Sequence, residues 1–161
     1  ELHVTPGEQI VILFEDKSLS YVTDENALIP LAESVQRLGW SPDEQIIYLQ
    51  TDETSLHVIN MRDERLSYVP LKQLHLVTRL SRPIRNPQWF AGGRHLIYQT
   101  DDEIFITEID TRDHPISYIV DSTNLGDSQI TVGDQGNNVY YIKKTSEQNR
   151  LVSATLVIEE E

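Results

Sequence analysis

The sequence predicts an all-β chain of β-propeller blades, each of four antiparallel strands, with about four blades in its 161 residues. Three observations predict it. Four times a tight turn rich in Pro, Gly or Asp opens the same kind of strand. These turns are Thr5-Pro6-Gly7-Glu8 before residues 9–13, Ser41-Pro42-Asp43-Glu44 before 45–49, Ala91-Gly92-Gly93-Arg94 before 95–98, and Asp134-Gln135-Gly136-Asn137 before 138–142. A period of roughly 40 to 50 residues marks a repeat architecture. The second and third copies also stay in register without a gap: Trp40 matches Phe90, Tyr48 matches Tyr98, Asp52-Glu53 match Asp102-Glu103, Arg62-Asp63 match Arg112-Asp113, and Leu66-Ser67-Tyr68-Val69 match Ile116-Ser117-Tyr118-Ile119. Finally, the second strand of each copy is almost continuously apolar, as a strand covered on both faces requires, whereas the third admits polar residues.

Taken in order, residues 1–4 and 9–13 open the first copy. Residues 27–38 are the one stretch with helical propensity, and Pro30 within it and Gly39 after it limit any helix to a short one. The second copy predicts strands at 35–40, 45–50, 55–61 and 65–71; the third repeats them at 86–90, 95–100, 103–110 and 115–120. The last copy offers 129–132, 138–143 and 151–158, one strand short of a blade. The expected blades are therefore 1–34, 35–73, 74–123 and 124–161 of a single, partial propeller domain. A six- to eight-bladed ring is commoner than one of four, so the expectation is the C-terminal part of a larger propeller.

A formal charge of −13 opposes binding to nucleic acid, which needs a basic footprint. The charge is uneven, because residues 62–94 hold seven basic side chains against two acidic ones. No apolar run approaches the ~20 residues of a membrane helix, and the first residues lack the features of a signal peptide, so no membrane contact is expected of this segment. Cysteine is absent, which removes disulfides, thiolate nucleophiles and Cys-based zinc sites.

Trp40-Ser41-Pro42-Asp43-Glu44-Gln45-Ile46-Ile47-Tyr48 resembles the W-S-P-D-G-x-x-I/L-x-Y/F signature of the TolB-like, WD-repeat-like propeller repeats of bacteria. Residues 89–98 follow the same pattern more loosely. The resemblance implies inner strands lining a channel and an interaction surface built from loops at one end. The link from Leu74 to Gln88 also resembles those in propellers of bacterial envelope proteins that carry an N-terminal membrane anchor, which favours an extracytoplasmic or periplasmic, envelope-associated setting over a cytoplasmic one. The signature's usual Gly is Glu44 here, and the first and fourth copies have no Trp.

Each candidate for chemistry has an ordinary structural counterpart. Trp40, Phe90, Tyr48, Tyr98 and Tyr141 are expected to fill space between blades rather than stack on a ligand. The carboxylates Asp52-Glu53 and Asp101-Asp102-Glu103 are of the kind that hold calcium or serve a glycosidase, but no D-x-D-x-D-G loop accompanies them, and acidic tight turns are ordinary. His3, His57, His75, His95 and His114 show no ligand spacing, and no G-x-S-x-G elbow or Gly-rich phosphate loop is present. No catalytic residue, cofactor or metal is assigned.

Arg79, Arg82 and Arg85 recur on the link between the second and third copies and suit bidentate contacts to a carboxylate or phosphate; the ordinary counterpart, and the favoured one, is a solvated loop whose arginines pair with nearby Asp and Glu at little net energy. With Asp101 and Asp102 they form the expected partner-binding surface. The expected function is a non-catalytic module for a protein or peptide partner, or for further propeller blades, with self-association as a corollary. The rivals are a hydrolase or lyase with its site at the channel mouth, and a structural spacer.

Overall fold

The computed structural model describes residues 1–4, 9–62, 68–110, 112, 116–122, 129–133, 137–144 and 148–156. The chain forms two compact units, Glu1–Arg79 and Leu80–Glu161.

The first unit holds two sheets of four antiparallel strands: β1 (Leu2–Val4), β2 (Ile10–Leu13), β3 (Leu19–Val22) and β4 (Leu28–Ala32), then β5 (Arg37–Trp40), β6 (Ile46–Gln50), β7 (Ser55–Asn60) and β8 (His75–Arg79). In each sheet the spatial order is the chain order. Tight hairpins make this so. The connections at 14–18 and 23–27 close by the same pattern: Lys17 N–H donates to Phe14 O at 3.1 Å and Asn26 N–H to Thr23 O at 2.9 Å, with Lys17 and Asn26 at φ 69° and 61°. The Ser41 turn repeats this geometry, with Glu44 N–H donating to Ser41 O at 2.8 Å and Glu44 at φ 56°. Its side chains explain the Ser-Pro-Asp sequence. Ser41 Oγ accepts the Ile46 N–H at 3.0 Å and donates to Asp43 Oδ1 at 2.5 Å. The turns at 5–8 and 134–136 lie outside the described residues.

Residues 28–32 form β4, in keeping with the limit that Pro30 and Gly39 set on a helix there; the strand lies at the edge of its sheet, where Pro30 costs no internal ladder bond. One expectation needs correction here. The fourth strand of the second sheet is β8, not residues 65–71, so this sheet runs six residues beyond the expected boundary at 73. Residues 63–67 lie outside the described part, and Leu71 makes only an isolated parallel bridge to Asn60. The supposed link from 74 to 88 therefore consists largely of β8 and the start of the next strand.

The second unit holds β9 (Arg85–Phe90), β10 (His95–Gln99), β11 (Glu103–Glu108) and β12 (Ser117–Ser122), then β13 (Thr131–Val132), β14 (Asn138–Lys144) and β15 (Asn149–Thr155). The third sheet is a four-stranded antiparallel meander, and the fourth has three strands among the described residues. A short 3-10 turn at Ala91–Gly93 replaces the Ser-Pro-Asp turn, with Gly92 and Gly93 at φ 71° and 70°. These consecutive antiparallel four-stranded sheets are β-propeller blades.

Each unit packs its two sheets on a core of its own. In the first, Val11, Leu19, Val35, Ile47, Leu49, Ile59 and Met61 are buried together, with Trp40 and Tyr21 against them. In the second, Phe90, Ile97, Ile104, Ile106, Ile130, Val139 and Tyr141 do the same. Trp40, Phe90 and Tyr141 thus sit against cores built from two sheets. Tyr98 is fully buried, stacks on Phe105 of the same sheet at 5.4 Å and meets Thr107 Oγ1 at 2.9 Å. Tyr48 covers its cross-strand partner Gly39.

Candidate functional site

Antiparallel pairing of β9 with β10 sets Arg85 opposite Gln99, immediately beside the Thr100-Asp101-Asp102 hairpin that leads into β11. The hairpin is fastened internally: Thr100 N–H donates to Glu103 O at 2.9 Å, and Thr100 Oγ1 donates to Asp102 Oδ1 at 3.1 Å. Its carboxylates face the two arginines. Arg85 Nη2 lies 2.9 Å from Asp101 Oδ1, and Arg82 reaches Asp102 Oδ1 with Nη1 at 2.6 Å and Glu103 with Nη2. The Arg82 guanidinium also lies 5.7 Å over the Phe105 ring, a cation–π distance. Four of the five residues singled out in the sequence therefore meet at one end of the third sheet. Asp101 and Asp102 keep 65% and 63% of their side-chain exposure, so the cluster is open to solvent.

Arg79 is placed elsewhere. It ends β8 in the first unit, and its Nε donates to Ser55 Oγ at 2.9 Å. Near it, His57 is half-buried with Thr51 Oγ1 3.3 Å from Nδ1. Burial lowers the His57 pKa; the Asp52 carboxylate opposes this, and the charges of Arg79 and His75 add to it. Asp52 itself closes its turn by accepting from Thr54 N–H at 2.7 Å and Thr54 Oγ1 at 2.9 Å. Among the described residues, no three His, Asp or Glu side chains are grouped to hold a metal ion.

The sequence alone missed a third cluster. Asp121 on β12 accepts the Tyr141 hydroxyl at 2.6 Å and the Lys143 ammonium at 3.2 Å, both from β14. Partial burial opposes ionisation of Asp121, but the hydrogen bonds from Tyr141 and Lys143 outweigh it and hold the pKa below the usual value. Burial and the adjacent carboxylate push the Tyr141 phenol up, so it remains a proton donor. Beside this cluster, Asp121, Lys143, Arg150, Leu151, Val152 and Ser153 line a groove of about 390 Å³. The only sequence signal was the pair Lys143-Lys144 in an otherwise acidic chain.

No protein-family model matches the chain, and no curated protein matches it in sequence. Solved structures do resemble it. The yeast heterotrimeric nucleoporin complex aligns over 98% of this chain and 42% of its own, with a TM-score of 0.61 at 11% identity. A Bacteroides uniformis protein carrying a provisional 6-phosphogluconolactonase name aligns over 94% of this chain and 52% of its own, with a TM-score of 0.54 at 12% identity. An auxiliary nutrient binding protein from Bacteroides thetaiotaomicron aligns over 96% and 40%, with a TM-score of 0.53 at 11% identity. The chain thus spans 40–52% of the lengths of these three proteins. Identities this low speak to the fold alone, and the fold they share with this chain is a repeated all-β one.

Proposed function

We propose that the chain is a non-catalytic β-propeller module that binds a protein or peptide partner through the surface formed by Arg82, Arg85, Asp101 and Asp102. The observation that carries this reading is the partly exposed pair Arg82 and Arg85 set against the carboxylates of the β10–β11 hairpin. Exposed ion pairs of this kind are worth about 0–1 kcal/mol, so an incoming carboxylate or guanidinium can replace a partner at little cost. The cluster is also pre-set in geometry by the Thr100 hydrogen bonds and the Phe105 ring. Binding therefore loses little entropy in ordering the arginines.

The Trp40-Ser41-Pro42-Asp43 segment supports assigning the module to bacterial TolB-like repeats in an envelope-associated, extracytoplasmic setting. Further blades are proposed as additional partners. Tyr140 and Leu151 on the fourth sheet are 38% and 66% exposed, and Leu2 and Val4 on the first are 62% and 59% exposed. Apolar side chains of this size left open on sheet faces favour association.

Random-peptide display on the immobilised chain tests the reading. Enriched peptides are expected to lose about tenfold or more in affinity against Arg82→Glu or Arg85→Glu, a change of ~1.4 kcal/mol or more. Far-UV circular dichroism should stay unchanged. Undiminished binding to both variants would remove this surface from the function.

A further inference from the structure

Among the side chains that meet at the β10–β11 hairpin, Arg82 is the held member and the outer carboxylates are the open ones. The Arg82 guanidinium lies 5.7 Å over the Phe105 ring and pairs through Nη2 with Glu103, whose side chain is only 19% exposed. Asp102 on Arg82 and Asp101 on Arg85 are 63% and 65% exposed, against 40% for each arginine. Ion pairs this open to water contribute little, so the outer carboxylates can leave while Phe105 and Glu103 keep Arg82 in place.

The charge at this end of the sheet has two sources. Residues 80–99 hold Arg82, Arg85 and Arg94 and no acidic side chain, whereas Asp101, Asp102 and Glu103 arrive with the hairpin that follows. Asp101 and Asp102 therefore stand where carboxylates from another molecule would stand, and they repel such carboxylates on approach. A basic segment would meet aspartates whose charge the arginines already offset. An acidic segment can instead move the aspartates aside, leaving each guanidinium paired. The displaced aspartates, already mostly in water, lose little by this. A planar guanidinium also matches a carboxylate in shape as well as in charge.

Building on the binding-module reading of this surface, and resting on it, we propose that the partner is an acidic segment of another protein whose carboxylates displace Asp101 from Arg85 and Asp102 from Arg82. The two aspartates are an internal competitor: they occupy the arginines in the free chain and weaken the binding of the partner. Affinity is then set by the difference between the partner's pairing with the arginines and the pairing that it replaces. Taking the charge off the aspartates should raise affinity, although they belong to the surface that the partner covers.

The probe is a fluorescein-labelled acetyl-Glu-Gly-Glu-Gly-Glu-Gly amide, titrated against the 161-residue chain by fluorescence anisotropy. Asp101→Asn/Asp102→Asn keeps side-chain size and an acceptor for Thr100 Oγ1, and is expected to bind the peptide about tenfold more tightly than the wild type. Asp101→Asn alone leaves the Thr100–Asp102 bond untouched and should give roughly threefold. Arg82→Glu/Arg85→Glu should abolish binding, as should Gln in place of every Glu of the peptide. Asp24→Asn/Glu25→Gln removes the same charge from an exposed connection of the first unit and should leave affinity within about twofold. An equal gain from that variant would make net charge the cause and overturn the proposal. Unchanged or weaker binding by both Asn variants would overturn it too; if the arginine variant still loses the peptide, the surface reading stands and the aspartates help to hold the partner. Binding that survives in the arginine variant, or that does not tell Glu from Gln, would overturn the acidic partner. Absence of binding by the wild type and by both Asn variants would do the same, and basic peptides enriched by display would then sustain the surface while reversing the charge of its partner.

Discussion

Gln99 Oε1 accepts a hydrogen bond of 3.0 Å from the backbone N–H of Ile130, and both residues are buried. Gln88 repeats the device on the neighbouring strand pair: its Nε2 donates to Ile130 O at 2.8 Å and its Oε1 accepts from Val132 N–H at 3.2 Å. Two side chains of the third sheet thus satisfy the backbone of the two-residue strand β13, which has little ladder of its own. Gln99→Met keeps the volume but orphans a buried donor. It is expected to cost about 1–3 kcal/mol in urea unfolding. A loss under ~0.5 kcal/mol would mean that the Ile130 amide finds another acceptor.

Gly39 faces Tyr48 across the β5–β6 ladder, and a Cβ at this position would stand 2.5 Å from Tyr48 Cε1. Glycine is needed here for the close approach of the ring, not for its backbone. Gly39→Ala should destabilise the first unit by about 1–3 kcal/mol, the usual cost of overpacking. Because the clash is with one ring, adding Tyr48→Ala should bring the double variant well below the sum of the two singles. Additive losses in a thermal-unfolding cycle would refute that cause.

Glu44 stands at φ 56° in the Ser41 turn, where the related signature carries glycine. A left-handed conformation costs an L-residue roughly 1–2 kcal/mol, part of which glycine returns through its freer unfolded state. Glu44→Gly is expected to stabilise by about 0.5–1 kcal/mol, seen as a higher urea midpoint at constant slope. A neutral or negative result would show that the Glu44 side chain contributes more than its backbone costs.

The Asp121 cluster gives a pH signature. The folded carboxyl lies below its unfolded value of about 3.9, so its contribution is complete above that value and fades as pH falls through the folded pKa. Asp121→Asn should therefore cost about 1.5–3 kcal/mol at pH 7, typical of hydrogen bonds to a charged group. The gap from the wild type should close below pH ~4. A gap independent of pH would mean that the shape and packing of the substituted amide, rather than the lost charge, set the loss.

Much of this molecule can be read from the order of its residues. The apolar runs of β6 and β10 mark inner strands of the second and third sheets because a buried strand leaves no room for alternation, whereas β14, equally apolar in sequence, leaves Tyr140 exposed. The Ser-Pro-Asp turn announces a hairpin because Ser41 and Asp43 hold its own backbone. What misleads is the match of Leu66-Ser67-Tyr68-Val69 to Ile116-Ser117-Tyr118-Ile119. The second copy pairs β7 with His75–Arg79 instead, so local likeness yields to the pairing that the whole sheet prefers. The Arg82–Asp102 meeting was legible only as two lists of charges, since β9–β10 register decides which arginine meets which carboxylate. Tyr141 was legible as a core aromatic but not as the partner of Asp121, as their meeting depends on how one sheet packs on the next.

Among the described residues, every sheet joins strands that follow one another in sequence. Such local pairing keeps the entropy of loop closure low, and chains rich in local contacts fold fast. A lone sheet nevertheless leaves its inner face wet, and each core draws on two sheets. The first sheet therefore buries its inner face only against the second, and the third only against the fourth, so in each unit the pair of blades, rather than the single blade, is the smallest piece that carries a core.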